Sequence, residues 1–425
     1  MSPLSVHDRA LNAVRVSLKK KSLWDYERIV GSDVIDEIRS HAEVLKGLRL
    51  LQLNATAAGG GVAELLTSLV PLLRSVGLDA EWMVLPEHAE FFEVTKRFHN
   101  ALQGMAYIPT DNDVASYLDQ NRLSAEALTG TYDVIVTHDP QPVAVRHFAG
   151  RRGATWVWRC HIDTSEPRPE AWDVLRPYVN DYDAAVFTMR EFVPPGLTIP
   201  SEKLLFVPPG IDPLSSKNRR LPRSLSEEVV SEFGIDTRRP LLTQVSRFDP
   251  WKDPIGVIRI YRELKKRHPA LQLALVGFMA HDDPEAWRIY ASLESEIAGD
   301  ADAYVFTNLD GVGSLEVNAF QRVSDVVVQK SIREGFGLVV SEAIWKETPV
   351  VAGDTGGIPL QMRDGVGGYL ARNEDEYVDR IGALLARPDE AHAIAEAGRR
   401  HVLERFLVTR LLLDELRMLR TLTSR

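Results

Sequence analysis

Short apolar runs alternate with amphipathic stretches along most of this chain, the pattern of strands and helices in regular succession. Leu48 to Leu53, Asp133 to Thr137, Thr155 to Cys160, Ala184 to Thr188 and Leu204 to Val207 read as strands. After the first of them comes Gly59-Gly60-Gly61, which opens a helical run through Val62, Leu65, Leu66 and Leu69. The segment Pro208-Pro209-Gly210-Ile211-Asp212-Pro213 interrupts the alternation, and polar residues follow it to Arg223. Prolines and glycine deny it regular structure, so it is the expected linker. A second series then begins with strands at Leu241 to Val245, Leu271 to Val276, Tyr304 to Thr307, Val326 to Gln329 and Val350 to Ala352. Asp253-Pro254 predicts a helix start, with aspartate as N-cap and proline at the first helical position. Gly337 to Lys346 reads as a helix, and the tail from Glu390 onward is helical.

Strands alternating with helices imply parallel sheets covered on both faces, an α/β class. At 425 residues the chain exceeds what one compact core holds and suits two domains of about 150–200 residues each. The expected division is 1–215 and 216–425, with the final helix free to pack back on the first domain. Two such sheets in tandem would set their strand ends on facing edges of a cleft, and ligands of these sheets bind beyond the carboxyl ends of the strands. Gly59 to Gly61, His138, Asp139, His161, Arg247, Lys252 and Glu334 all fall at such ends.

Charge and composition narrow the function classes. The net charge of -10 is spread along the chain without a basic block of the kind that binds nucleic acid. Lys19-Lys20-Lys21 is read as a solvated face. No run approaches the roughly 20 apolar residues of a membrane span, and no signal-peptide pattern opens the chain. The single cysteine, Cys160, cannot form an internal disulfide and sits in an apolar run, which suits a buried thiol and a reducing cytoplasm. The expected localisation is cytoplasmic. The expected partners are small molecules, with a homodimer as the protein partner allowed for.

Arg247 and Lys252 follow a strand and precede a helix start, so two cations and backbone N–H groups would meet at one place, a site for a diphosphate. A surface Arg and Lys in an ordinary loop is the competing reading. Arg333-Glu334-Gly335-Phe336-Gly337-Leu338 leads into the helix that carries Glu342. Its glycines would let amides approach an anion, while the glutamates would accept hydrogen bonds from sugar hydroxyls. A helix-capping glutamate remains the alternative. The glycine run lacks the Lys-Ser/Thr of a P-loop and the spacing of a dinucleotide fingerprint; a plain tight turn is the alternative there. His138, Asp139 and His161 could equally be core or capping residues. Asp181-Tyr182-Asp183 has an Asp-x-Asp look but lies away from the cations, so no metal site is assigned.

Ser246-Arg247-Phe248 with Lys252-Asp253-Pro254, then Glu334-Gly335-Phe336-Gly337-Leu338 with Ser341-Glu342-Ala343, then Gly353 to Gly357, resembles the C-terminal signature of glycosyltransferase family 4, whose fold is GT-B. The N-terminal half resembles the trehalose glycosyltransferring synthases of that family. Gly59 to Glu64, His138 to Pro142, Trp158 to Asp163 and Pro208 to Asn218 carry that likeness. Trehalose phosphorylases share such segments.

The resemblance implies a retaining glucosyltransferase with two Rossmann-like domains. It would form trehalose from a nucleotide diphosphate-glucose (such as ADP- or UDP-glucose) and glucose, reversibly. Arg247 and Lys252 would hold the donor diphosphate, Glu334 the transferred sugar and Glu342 the ribose. Gly60, Gly61, Gly335, Phe336, Gly337 and Leu338 would line the donor site, and Asn308 would lie beside the base. His161 would meet the sugar near its 6-hydroxyl; His138, Asp139 and Gln141 would bind the acceptor. The nucleotide-sugar is a co-substrate, so no tightly bound cofactor is expected. Magnesium is compatible but not required. The competing functions are a retaining trehalose phosphorylase and a sugar-nucleotide binding protein without turnover.

Overall fold

The structure, a computed structural model, describes residues 14–58, 60–86, 89–279 and 284–423. The chain forms two compact units: residues up to Pro209 together with those from Val408, and Gly210–Leu407. Each is built on its own seven-stranded sheet.

In the first unit the strands are β1 (Val14–Arg15), β2 (Arg49–Asn54), β3 (Asp79–Val84), β4 (Val134–His138), β5 (Thr155–Cys160), β6 (Ala184–Phe187) and β7 (Leu204–Phe206). Their order is β1-β3-β2-β4-β5-β6-β7. All neighbours run parallel except the two-residue β1, which pairs antiparallel with β3. A parallel sheet has to be covered on both faces, and the alternation of side chains divides the apolar residues accordingly. Leu50, Val134, Val136, Val157 and Val186 face one core, which receives the helices Gly61–Ser75 and Val408–Thr423. Leu51, Leu53, Ile135, Trp156 and Trp158 face the other. The helix Val408–Thr423 joins this unit because Leu411, Leu412, Leu416 and Leu419 form a continuous buried stripe.

The second unit contains β8 (Leu241–Val245), β9 (Gln272–Val276), β10 (Ala303–Phe306), β11 (Val326–Gln329), β12 (Val350–Gly353), β13 (Arg363–Asp364) and β14 (Gly367–Ala371). The order is β10-β9-β8-β11-β12-β14-β13, all parallel. Every residue of β8, β9, β11 and β12 is buried, as expected of strands covered on both faces.

In each sheet the order of strands reverses at one place. From β2 the chain continues to β3 on one side while β4 leads to β5 on the other, and β8 leads to β9 while β11 leads to β12. Loops leaving the carboxyl ends of two such strands diverge, and the crevice between them is the usual ligand position in open α/β sheets.

Candidate functional site

The crevice of the second unit lies beyond β8 and β11. From β8 come Arg247 and Lys252; from β11 come Ser331 and Glu334. Lys252 ends a one-turn 3-10 helix, Pro250–Lys252, whose carbonyl at 252 accepts a hydrogen bond from Gln244 Nε2 at 2.8 Å. Its Nζ lies 2.6 Å from Glu334 Oε2. The same oxygen accepts hydrogen bonds from Ser331 Oγ at 3.0 Å and Gln329 Nε2 at 3.3 Å. Three donors on one buried carboxylate oxygen fix both charges in place. Arg247 is far more open, with 53% of its side chain exposed, and among the described residues its guanidinium pairs with Asp249 alone, at 3.3 Å. Most of its five N–H donors therefore remain for a ligand.

Asp253 does cap the helix Pro254–Lys265, accepting from Gly256 N at 3.0 Å, although it does so from a left-handed conformation with φ 39°. Lys330 in turn pairs with Asp253. The Gly256 amide, one of the donors at the start of that helix, is thus taken up by Asp253.

Glu334 to Gly337 is held by a second loop. Gly356 has φ +53°, and a Cβ there would lie 1.7 Å from the carbonyl oxygen of Glu334. A Cβ on Gly357 would lie 2.4 Å from that of Gly335. Only glycine permits backbone to approach backbone so closely. Gly357 N donates to Glu334 O at 3.2 Å, and Gln361 Nε2 donates to Phe336 O. The Phe336 ring is buried against Phe406. Gly337, with φ +78°, turns the chain into the helix Leu338–Trp345, which starts without a side-chain cap. Inside that helix Glu342 is fully buried, with Lys217 3.0 Å from its Oε1. One turn later Lys346 reaches Asn218 Oδ1 at 2.7 Å and Glu342 O at 3.0 Å. Asn308 brackets the backbone of Met279, accepting from its N at 2.6 Å and donating to its O at 3.2 Å.

In the first unit the crevice lies beyond β2 and β4. Gly59 is outside the described residues. Gly60 precedes the helix Gly61–Ser75 in an extended conformation, and a Cβ there would meet nothing within 4 Å. Among the described residues, neither backbone conformation nor packing demands a glycine at 60. At the end of β4, His138 Nδ1 is 2.9 Å from His161 Nε2, and His138 Nε2 is 2.6 Å from Gln52 Oε1. Gln52 Nε2 donates to Glu415 Oε1 at 3.1 Å, while Arg159 Nη1 lies 2.7 Å from Glu415 Oε2. Burial, reinforced by the charge of Arg159, holds both imidazoles well below their ordinary pKa.

Asp139 adopts φ 61°, a conformation aspartate tolerates better than most residues. Its Oδ1 accepts from His161 N at 2.8 Å, and its carbonyl accepts from Trp158 Nε1 at 3.0 Å. Burial raises its carboxyl to about 7, against the opposing pull of the His161 N–H and Arg159. Gln141 is partly exposed, with its carbonyl held by Asn121 Nδ2 at 3.1 Å. The cations nearest in sequence are engaged elsewhere. Arg146 stacks on Trp156, Arg151 pairs with Asp183, and Arg152 donates to Leu128 O.

Asp181 pairs with His147, and Asp183 accepts from Trp156 N, so both acids of the Asp-x-Asp segment have partners in the fold. Among the described residues no group of three or more His, Cys, Asp or Glu is arranged to hold a metal. Cys160 is buried, and desolvation pushes its thiol pKa up. Among the described residues no helix is long and apolar enough to cross a membrane.

The structure therefore brings Lys252 to Glu334, with Arg247 on the same loop after β8, and brings His138, Asp139 and His161 together at the ends of β4 and β5. It adds Gln52, Glu415 and Ser331, none of which stands out by motif, and Arg159 and Lys217, which lie in segments that carry the family likeness but had no role assigned. Glu415 carried a signal: it lies four residues from both Leu411 and Leu419, on the apolar stripe of its helix, where a carboxylate needs a buried cation.

A family profile described as "Trehalose synthase, N-terminal domain" matches residues 52–194, and one described as "Glycosyl transferases group 1" matches residues 226–401. A trehalose synthase of Rubrobacter xylanophilus is 50% identical over 95% of this chain and 98% of its own length. One of Pyrococcus horikoshii is 44% identical over 92% and 94%. Among solved structures, a UDP-forming trehalose-phosphate synthase from Burkholderia xenovorans superposes with a TM-score of 0.70 at 16% identity, covering 89% of this chain and 100% of that one.

Proposed function

Since this chain belongs to the trehalose synthase family, glycosyltransferases of GT-B fold, we propose that it transfers glucose from a nucleotide diphosphate-glucose to free glucose, forming trehalose with retention at the transferred anomeric carbon. The observation that carries this proposal is at the carboxyl ends of β8 and β11, where Lys252 is fixed by Glu334 and an exposed Arg247 lies on the same loop after β8. Breaking the bond between glucose and the diphosphate places negative charge on the leaving group. Cations already in position stabilise it without reorganising. Arg247 supplies planar N–H pairs suited to phosphate oxygens, and Lys252 a point charge. Glu334 orients that lysine and turns its second oxygen to a sugar hydroxyl. The amides of Gly335, Phe336, Gly337 and Leu338 lie on the same loop. Backbone next to Asn308 is assigned to the base, because the side chain is occupied by Met279. Glu342 is assigned to the ribose. Its pairing with Lys217 means that a hydroxyl shares the carboxylate with that lysine or displaces it.

In the first unit, His161 is assigned to the 6-hydroxyl of the transferred glucose, with Gly60 and Gly61 leaving room for a ligand. Asp139 and Gln141 are assigned to the acceptor side. His138, expected there from the sequence, is buried with both ring nitrogens engaged by Gln52 and His161, so it is assigned instead to the support of His161. No carboxylate is assigned as a nucleophile, so the acceptor hydroxyl attacks from the leaving-group side and passes its proton to a phosphate oxygen of the departing diphosphate. The reaction runs in both directions, because trehalose and the nucleotide diphosphate meet the same groups.

The test is to incubate the protein with ADP-, UDP- and GDP-glucose plus glucose, and separately with trehalose plus inorganic phosphate. Trehalose and a free nucleotide diphosphate are expected from at least one donor. Turnover only with phosphate, or none with any donor, would overturn the proposal.

A further inference from the structure

Three buried side chains, Glu415, Gln52 and His138, link the last helix of the first unit to His161 through consecutive hydrogen bonds, and Arg159 pairs with the first of them. Arg159 is 1% exposed and Glu415 is fully buried. A guanidinium stays protonated in proteins and 2.7 Å from Glu415 Oε2 it holds that group as a carboxylate, an acceptor only. The Gln52 atom 3.1 Å from Glu415 Oε1 must then be its NH2, since an amide oxygen there would face an anion. With the NH2 committed, Gln52 Oε1 faces His138 Nε2 at 2.6 Å and can only accept. His138 therefore carries its proton on Nε2. A neutral ring protonated there has a lone pair on Nδ1, and the partner at 2.9 Å is His161 Nε2, which must donate. The two rings lie only 12° from parallel, in keeping with one in-plane bond between them. Burial and the neighbouring arginine keep His138 neutral, which removes the alternative in which it donates from both nitrogens.

We propose that Glu415, acting through Gln52 and His138, locks His161 in the tautomer protonated on Nε2, so that His161 presents Nδ1 to its ligand as a pure hydrogen-bond acceptor. Glu415, Gln52 and His138 are positioning residues in this scheme. Among the described residues none bonds to His161 Nδ1, so that lone pair is available to a hydroxyl that donates. The tautomer follows from the hydrogen bonds alone. Its consequence rests on the proposed place of His161 at the 6-hydroxyl of the transferred glucose. There the sugar must donate and His161 accept, so the site recognises a hydroxyl hydrogen, not merely an electronegative atom.

The experiment uses the full chain labelled with 15N-histidine, with His161 assigned by its loss in His161→Gln. In the wild-type protein the tautomer is read from two-bond nitrogen–proton correlations, and a protonated Nε2 with a bare Nδ1 is expected. In Gln52→Met the buried His138 Nε2–H would lose its acceptor, and a stranded donor costs enough to move the tautomer ratio by about tenfold or more. The preferred arrangement becomes His138 Nδ1–H donating to His161 Nε2, so His161 shifts to the Nδ1–H form. Should Gln52→Met fail to fold, the neutral pair Arg159→Gln/Glu415→Gln lets the Gln52 amide turn over, and both tautomers are then populated. A wild-type His161 protonated on Nδ1, or a folded variant with an unchanged tautomer, overturns the lock.

The second readout compares donors whose glucose is 6-deoxy or 6-deoxy-6-fluoro. The wild-type enzyme should use both equally poorly, at about a tenth or less of the parent kcat/KM, because fluorine cannot donate. Gln52→Met should favour the fluoro donor over the deoxy one. Wild-type use of both analogues at the parent rate overturns the assignment of His161 to the 6-hydroxyl. The nitrogen spectra still decide the tautomer in that case.

Discussion

Removing the positive end of the Lys252–Glu334 pair should cost both turnover and stability, and the two losses can be separated. In Lys252→Met the aliphatic stem is kept and the charge lost. Glu334 is 8% exposed and retains Ser331 at 3.0 Å and Gln329 at 3.3 Å, but no cation. Breaking a fully buried pair costs about 3–5 kcal/mol. The remaining neutral donors and the 16% exposure of Lys252 bring the expected loss here down to about 2 kcal/mol. For a unit of this size that lowers the thermal midpoint by about 4–8 °C. Glu334→Gln should cost less, about 1 kcal/mol, because Lys252 can turn toward water. In the double variant no carboxylate is left stranded, so the losses should fall short of additive by about 1–2 kcal/mol. Turnover should drop by about a hundredfold or more in Lys252→Met, the effect of losing one preorganised charge contact. Thermal melts of the four proteins and initial rates with saturating donor provide the measurements. Additive stability losses would mean that the pair carries no energy in solution. Near-normal turnover in Lys252→Met would remove it from the diphosphate site.

Three further outcomes are expected. Gly356→Ala forces a Cβ against the Glu334 carbonyl at a positive φ, so the loop must shift; a stability loss of about 3 kcal/mol or more, with activity lost as well, is expected by melting and assay. The carboxyl of Asp139 titrates at about 7 in the fold against 3.8 as an ordinary group, so the folded protein binds the extra proton. This group's contribution is favourable below pH 3.8, declines as pH rises to about 7 and is level above; Asp139→Asn should flatten the decline, and melting curves parallel to wild type from pH 4 to 8 would contradict it. Glucose should outcompete glucose 6-phosphate as acceptor at equal concentration, since Arg146, Arg151 and Arg152 are engaged away from His138 and Asp139. A tenfold preference for the phosphorylated sugar, about 1.4 kcal/mol, would refute that assignment.

Much of this architecture was legible because its strands are buried on both faces and read as plain apolar runs. Thr155–Cys160, Leu241–Val245 and Val326–Gln329 have the bounds that hydropathy alone suggests. Asp253 was legible as a cap because side-chain capping is a local matter. β3 escaped notice because Glu81 interrupts its run, and β14 because it begins with two glycines, Gly367 and Gly368. The motif residues were visible, but not what each touches. That Lys252 would bond Glu334, 82 positions away, depends on β8 and β11 being neighbours, and strand order is not written in periodicity. The same holds for Arg159 and Glu415, 256 positions apart.

The first unit is discontinuous in sequence: residues 210–407 are made between its sheet and its closing helix. During synthesis that sheet therefore waits, with Arg159 lacking its carboxylate and one apolar face only partly covered, until residues 408–423 have left the ribosome. At ordinary elongation rates of about 5–20 residues per second, the interval is on the order of ten to forty seconds. The second unit, whose chain is contiguous, is complete at Leu407, immediately before the helix that the first still lacks. The half begun first is thus completed last, and a chain ended at Leu407 would hold every residue of the second unit but not the helix that closes the first.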